Sequence, residues 1–154
     1  MFSQSISFNF GAEKYDRVKS AAKLAVKAAT ITISIGFIIT RLFPLQIISM
    51  FNREPELLKF GSSAIFAWFL CLPVVGFQII GANFFQAVGR SKTAMFLTLT
   101  RQVILLIPSI IIFSKIWGIE GLVYAAPFAD FLSFILTAVF FYHGIKNLEK
   151  FRRI

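Results

Sequence analysis

Two charged residues stand inside apolar stretches: Arg101 in TLTRQVILLIPS and Asp130 in YAAPFADFLSFIL. If those stretches cross a bilayer, each charge costs about 2.5 to 3.5 kcal/mol at mid-membrane unless it is paired or faces water. Helical rise puts Arg101, nine residues past Lys92, about 13 Å from one face. Asp130, thirteen residues before His143, lies about 20 Å from the same face. An extended arginine side chain covers the difference, so the two can meet on neighbouring helices. Two readings of such a pair are open. It can be a polar couple facing a cavity and sensing protons or cations. It can also be a salt bridge that only ties two helices together, or an Arg101 that snorkels alone to the interface.

Neutral polar residues form a second set. In LPVVGFQIIGANFFQAVGRSK, helical spacing aligns Gly76, Ile80, Asn83 and Ala87, with Gln86 one turn from Asn83 and Gln78 further round. A stripe of small and amide residues permits close helix packing or lines a watery path, and packing is the commoner use. The rings of Phe66, Trp68, Phe69, Phe77, Phe84 and Phe85 crowd the same region. Stacking would suit lipophilic cations, although lipid-facing phenylalanine accounts for most of them. Trp117, Tyr124, Tyr142 and His143 lie towards span ends, as interfacial anchors do. Cys71, the only cysteine, excludes an internal disulfide and reads as a small apolar residue. No nucleotide-binding loop, catalytic triad or metal-ligand cluster occurs, so neither enzymatic chemistry nor a resident cofactor is expected.

Positioning these residues falls to membrane helices. Among 154 residues, 57% are hydrophobic and 20 are Phe, which excludes a soluble domain. A hydrocarbon core about 30 Å thick needs about 20 apolar residues in helix. Four segments satisfy that, at about 24–43, 61–88, 93–114 and 119–143, and Pro73, Pro108 and Pro127 fall inside them as bends. The expected fold is all-α, a polytopic membrane bundle of about four transmembrane helices. A connector over 1–23 precedes it and a basic tail over 144–154 follows.

The net charge of +9 raises nucleic acid as a partner, but the placement of the basic residues argues otherwise. Lys14, Arg17, Lys19, Lys23, Lys27, Arg90, Lys92, Lys146, Lys150, Arg152 and Arg153 fall on one side of the four spans. Only Arg41, Arg53, Lys59 and Lys115 fall on the other. Eleven against four is the ordinary orienting asymmetry of an inner (plasma) membrane protein, and it puts both termini in the cytoplasm. The first partner is therefore the lipid bilayer, and nucleic acid is not one.

Four blocks, SFNFGAEKYDRVKSAAKLA, LFPLQIISMFNREPELLKFG, LPVVGFQIIGANFFQAVGRSKTAMFLTLTRQVILLIP and WGIEGLVYAAPFADFLSFILT, resemble the multidrug and toxic compound extrusion (MATE) transporters, in particular their bacterial multidrug-export branch. The resemblance implies twelve helices in two six-helix lobes, of which this chain looks like the last four. It implies export of lipophilic, often cationic drugs in exchange for H+ or Na+ by alternating access. It also implies that the chain is a fragment whose missing N-terminal helices, or another copy, would be needed for stability, and that it confers no drug resistance alone. Gly11-Ala12 would then close a helix whose beginning is absent. Members that bind cations in the second lobe use a carboxylate where this chain has only Gln78, Asn83 and Gln86. No cation site is thus identifiable, whereas Arg101 with Gln102 fits the export branch and implies a structural or gating role. Two other functions stay open: a relative that flips lipid-linked saccharides, and a non-transporting four-helix membrane interaction protein.

Overall fold

A computed structural model describes residues 2–51 and 53–151. Its helices are α1 (Phe2–Gly11), α2 (Tyr15–Leu42), α3 (Pro44–Ser49), α4 (Pro55–Trp68), α5 (Leu72–Ala87), α6 (Ser91–Leu99) and α7 (Ile107–Lys146). A π-helical segment over Thr100–Leu106 joins α6 to α7, and a 3-10 turn over Leu148–Phe151 ends the described chain. The fold is all-α, and the described residues contain no strand.

The longest helical run, Ser91–Lys146, is not one rod. A straight helix would hold Arg101 and Asp130 about 44 Å apart at 1.5 Å per residue, yet their side chains touch. The chain reverses at Gly118, whose φ of 62° and ψ of −137° lie where only glycine rests without strain. Three residues on, Gly121 passes so close to the Phe113 carbonyl that no side chain fits. Phe113 then stacks on Phe128 of the returning limb, with ring centroids 5.2 Å apart. Two antiparallel limbs, 91–117 and 119–146, result.

Three expected boundaries are corrected. Within the connector expected over 1–23, α1 fills the first half, and α2 starts at Tyr15 rather than near 24. Residues 16–29, DRVKSAAKLAVKAA, are mostly strong helix formers, so charge ends the membrane span without ending the helix. The span expected over 61–88 is broken into α4 and α5, whose axes differ by 46°. Pro73, near the start of α5, lacks the N–H that would carry the helix across residues 69–71. The tail over 144–154 is not loose at its beginning, because α7 runs to Lys146 and Leu148 is buried.

α2 and the run 91–146 are each long and apolar enough to span a bilayer, the bent α4–α5 pair reaches that length and hydropathy when its two helices are taken together, and the reversal at Gly118 divides the 91–146 run in two. Their outer faces carry exposed Ile31, Ile35, Ile38, Ile111, Ile112 and Phe131, the surface that lipid tails solvate. The most tightly packed part lies at one end of the bundle. There Ile6, Val18, Phe84, Phe85, Phe141 and Leu148 share one cluster, and the Ser7 hydroxyl donates to the Ala87 carbonyl at 2.8 Å. The segment before α2, the α5–α6 turn and the C-terminal turn therefore gather at the same end. Further along α2, Arg41 lays its guanidinium over the Phe66 ring of α4, 3.6 Å from the centroid.

Candidate functional site

Arg101 sits in the first full turn of the π segment. A wide turn advances the chain by one extra residue, about 100° of rotation relative to α6. In that register the side chain meets the returning limb, where Arg101 Nε donates to Asp130 Oδ1 at 2.7 Å. The side chain of Arg101 keeps 28% of its surface accessible and that of Asp130 keeps 13%. No other hydrogen bond engages Arg101 among the described residues.

Two contacts from α5 fix the limb that carries Asp130. Gln78 Nε2 donates to the Asp130 backbone carbonyl at 2.8 Å, and the Cys71 thiol donates to the Pro127 carbonyl at 3.3 Å. Gln78 is 4% exposed, and its Oε1 is buried with no hydrogen-bond partner. A little further on, Gly81 passes against Thr137, whose methyl would lie 2.6 Å from an added Cβ. α5 and the returning limb are thus in near contact at two levels.

Between α5, α6, the π segment and the returning limb lies a cavity of 320 Å³. Gln78, Asn83, Thr98, Arg101, Gln102, Ser133 and Thr137 line it beside Ile79, Ala82 and Leu97, and its surface is more apolar than polar. A groove of 400 Å³ shares Asn83 and Thr98 with it and adds Gln86. The structure therefore brings the five expected site residues near one another: Arg101, Gln78 and Asn83 line the cavity, Asp130 pairs with Arg101 behind its wall, and Gln86 lies in the adjoining groove. The stripe of small and amide residues has both of its anticipated uses. Gly76 lies against the Ala29 carbonyl and the Ile33 side chain of α2, while Asn83 lines the cavity.

Thr98, Ser133 and Thr137 were missed in the sequence. Their signal was spacing: Asp130, Ser133 and Thr137 fall on one helical face, and Thr98 lies one turn before Arg101. Hydroxyls are common enough in membrane helices to hide that pattern. Of the topology-setting basic residues, Lys14, Arg17, Lys23, Lys92 and Lys146 are exposed or partly so, while Lys19 and Arg90 are half-buried. All stand at the end where α1, the α5–α6 turn and the C-terminal turn gather. Lys150 lies in the 3-10 turn, and Arg152 and Arg153 lie outside the described residues. Among the described residues no cluster of His, Cys, Asp and Glu is built to hold a metal ion.

Comparison with known proteins gives this arrangement a lineage. A family model described as MatE matches residues 2–112. The FAD transporter of Shewanella oneidensis is 28% identical over 127 residues, which are 82% of this chain and 28% of that protein. The MATE multidrug transporter DinF-BH, solved in complex with rhodamine 6G, is 38% identical and superposes with a TM-score of 0.83, over 88% of this chain and 30% of that one. An inward-facing multidrug resistance MATE family transporter of the MOP superfamily superposes with a TM-score of 0.88 at 18% identity, a likeness of fold alone, over 97% of this chain and 35% of that one. The chain spans about three-tenths of the length of the relatives it matches. The MatE model covers more than two-thirds of this chain and the superpositions share its helical path, so the chain belongs to the MatE family of membrane transporters and is not an enzyme.

Proposed function

We propose that this chain forms part of the second lobe of an inner-membrane antiporter that exports bulky lipophilic compounds in exchange for H+ or Na+ by alternating access, with both termini in the cytoplasm. The observation that carries this reading is the cavity: Arg101 and amide side chains stand in a largely apolar wall, among helices whose outer faces are apolar. A purely structural bundle gains nothing from hollow polar space at membrane depth, whereas a transporter needs it to pass cargo. The compounds associated with two relatives, FAD and rhodamine 6G, both carry large planar ring systems. Such solutes are the proposed cargo class here, and the lipophilic cationic drugs implied by the resemblance fall within it. The carboxylate of Asp130 is engaged by Arg101, so no coupling-ion site is assigned to this chain.

The test is rhodamine 6G expulsion from an efflux-deficient bacterium. One culture expresses the chain alone, and another expresses it joined behind the DinF-BH helices that precede the matched region. The joined protein should expel the dye, and the chain alone should not. A joined protein that is inserted and monodisperse yet exports nothing would overturn the reading.

A further inference from the structure

The cavity shows one charge to its interior, and that charge is positive. Arg101 spends only Nε on Asp130, so its four remaining N–H donors engage no described side chain or carbonyl. Asp130 lies behind the guanidinium and is not part of the cavity wall, which otherwise consists of amides, hydroxyls and apolar groups. A carboxylate fixed at one edge of a guanidinium orients the planar fork and leaves its opposite edge open, the geometry that takes a phosphate or carboxylate in two parallel hydrogen bonds.

We infer that the cavity is an anion-recognising subsite: the open edge of Arg101 binds the phosphate or carboxylate of an organic solute. This deepens the transport reading and rests on it. Among the described residues no carboxylate lines this wall, so the subsite suits an anionic group of a cargo molecule and says nothing of cations held elsewhere. A phospholipid headgroup offers the same chemistry, and the test separates the two sources.

The full chain in phosphatidylcholine nanodiscs is titrated with riboflavin 5′-phosphate and with riboflavin, which share a ring and hydroxyls and differ in the phosphate. The phosphate ester should bind at least about tenfold more tightly, a difference of about 1.4 kcal/mol. Arg101→Gln leaves Asp130 without its partner and risks misfolding, so the decisive variant is Arg101→Gln with Asp130→Asn, an uncharged pair of nearly the same shape. There the preference should fall below about twofold, with monodispersity checked beside it to show that the double variant is folded. Equal binding of the two flavins, binding of neither by a monodisperse chain, or a preference that survives in the double variant would each overturn the inference. A preference that vanishes when phosphatidylglycerol is added would give the guanidinium to lipid and overturn it as well. Dye export by the joined protein without any phosphate preference would remove the anion assignment alone, and a phosphate preference without export would remove the transport reading alone.

Discussion

The contact between Arg101 and Asp130 makes a quantitative claim about how the two limbs hold together. With charge centres about 4 Å apart and an effective dielectric constant near 20, their attraction is about 4 kcal/mol. Arg101 keeps 28% of its side-chain surface accessible, and screening from the cavity roughly halves that figure, to about 2 kcal/mol. Removing either partner costs more, because it strands the other charge: Arg101→Gln or Asp130→Asn alone should each destabilise by about 3 to 5 kcal/mol. The double variant should then be more stable than the sum of the singles by about 2 kcal/mol, a factor of about thirty in the unfolding equilibrium. Reversible unfolding of the four proteins in mixed detergent–lipid micelles measures this directly. Coupling no larger than about 0.6 kcal/mol, the average for ordinary hydrogen bonds between membrane helices, would refute the reasoning and leave Arg101 as a side chain that solvates itself.

Further outcomes follow from the packing. Gly118→Ala forces a side chain into the backbone conformation of the reversal and should cost about 1 to 3 kcal/mol in the same unfolding assay. Gln78→Leu loses the bond to the Asp130 carbonyl but also removes the partnerless Oε1, so its stability should stay within about 1 kcal/mol of the parent. In a Cys71→Ala background, a membrane-impermeant thiol reagent applied to whole cells should label Lys59→Cys and not Lys14→Cys or Lys92→Cys; the opposite pattern would invert the proposed orientation.

Much of the site was legible because charges are rare where lipid is the solvent. Arg101 and Asp130 stood out by depth alone, and one helical ruler measured from Lys92 and His143 was enough to place them within reach of each other. The reversal near residue 118 was legible as well, as a polar interruption between two apolar runs. Helix ends were not. Hydropathy reports where a span meets water, whereas α2 continues through Lys19 and Lys23 because its backbone bonds are indifferent to charge on the outer face. Pro73 was read as a bend in one span, but its missing N–H ends one helix and starts another. The wide turn at Arg101 left no mark at all. The contact made from it reaches a limb 29 positions away, which local composition does not encode.

The reversal at Gly118 also bears on how the chain enters a membrane. Limb 91–117 emerges from synthesis first and carries Arg101 without its partner, and a single such segment pays the full penalty of a buried charge. Once limb 119–146 follows, Asp130 comes within reach across a closed loop of only 29 residues. Closing a loop that short adds little entropy cost compared with pairing to a distant helix. The two limbs therefore suit insertion as one helical hairpin in which the two charges inside the apolar runs, Arg101 and Asp130, are paired before either limb commits to lipid. A glycine chosen for its backbone angles thereby also sets the order in which charge crosses the bilayer.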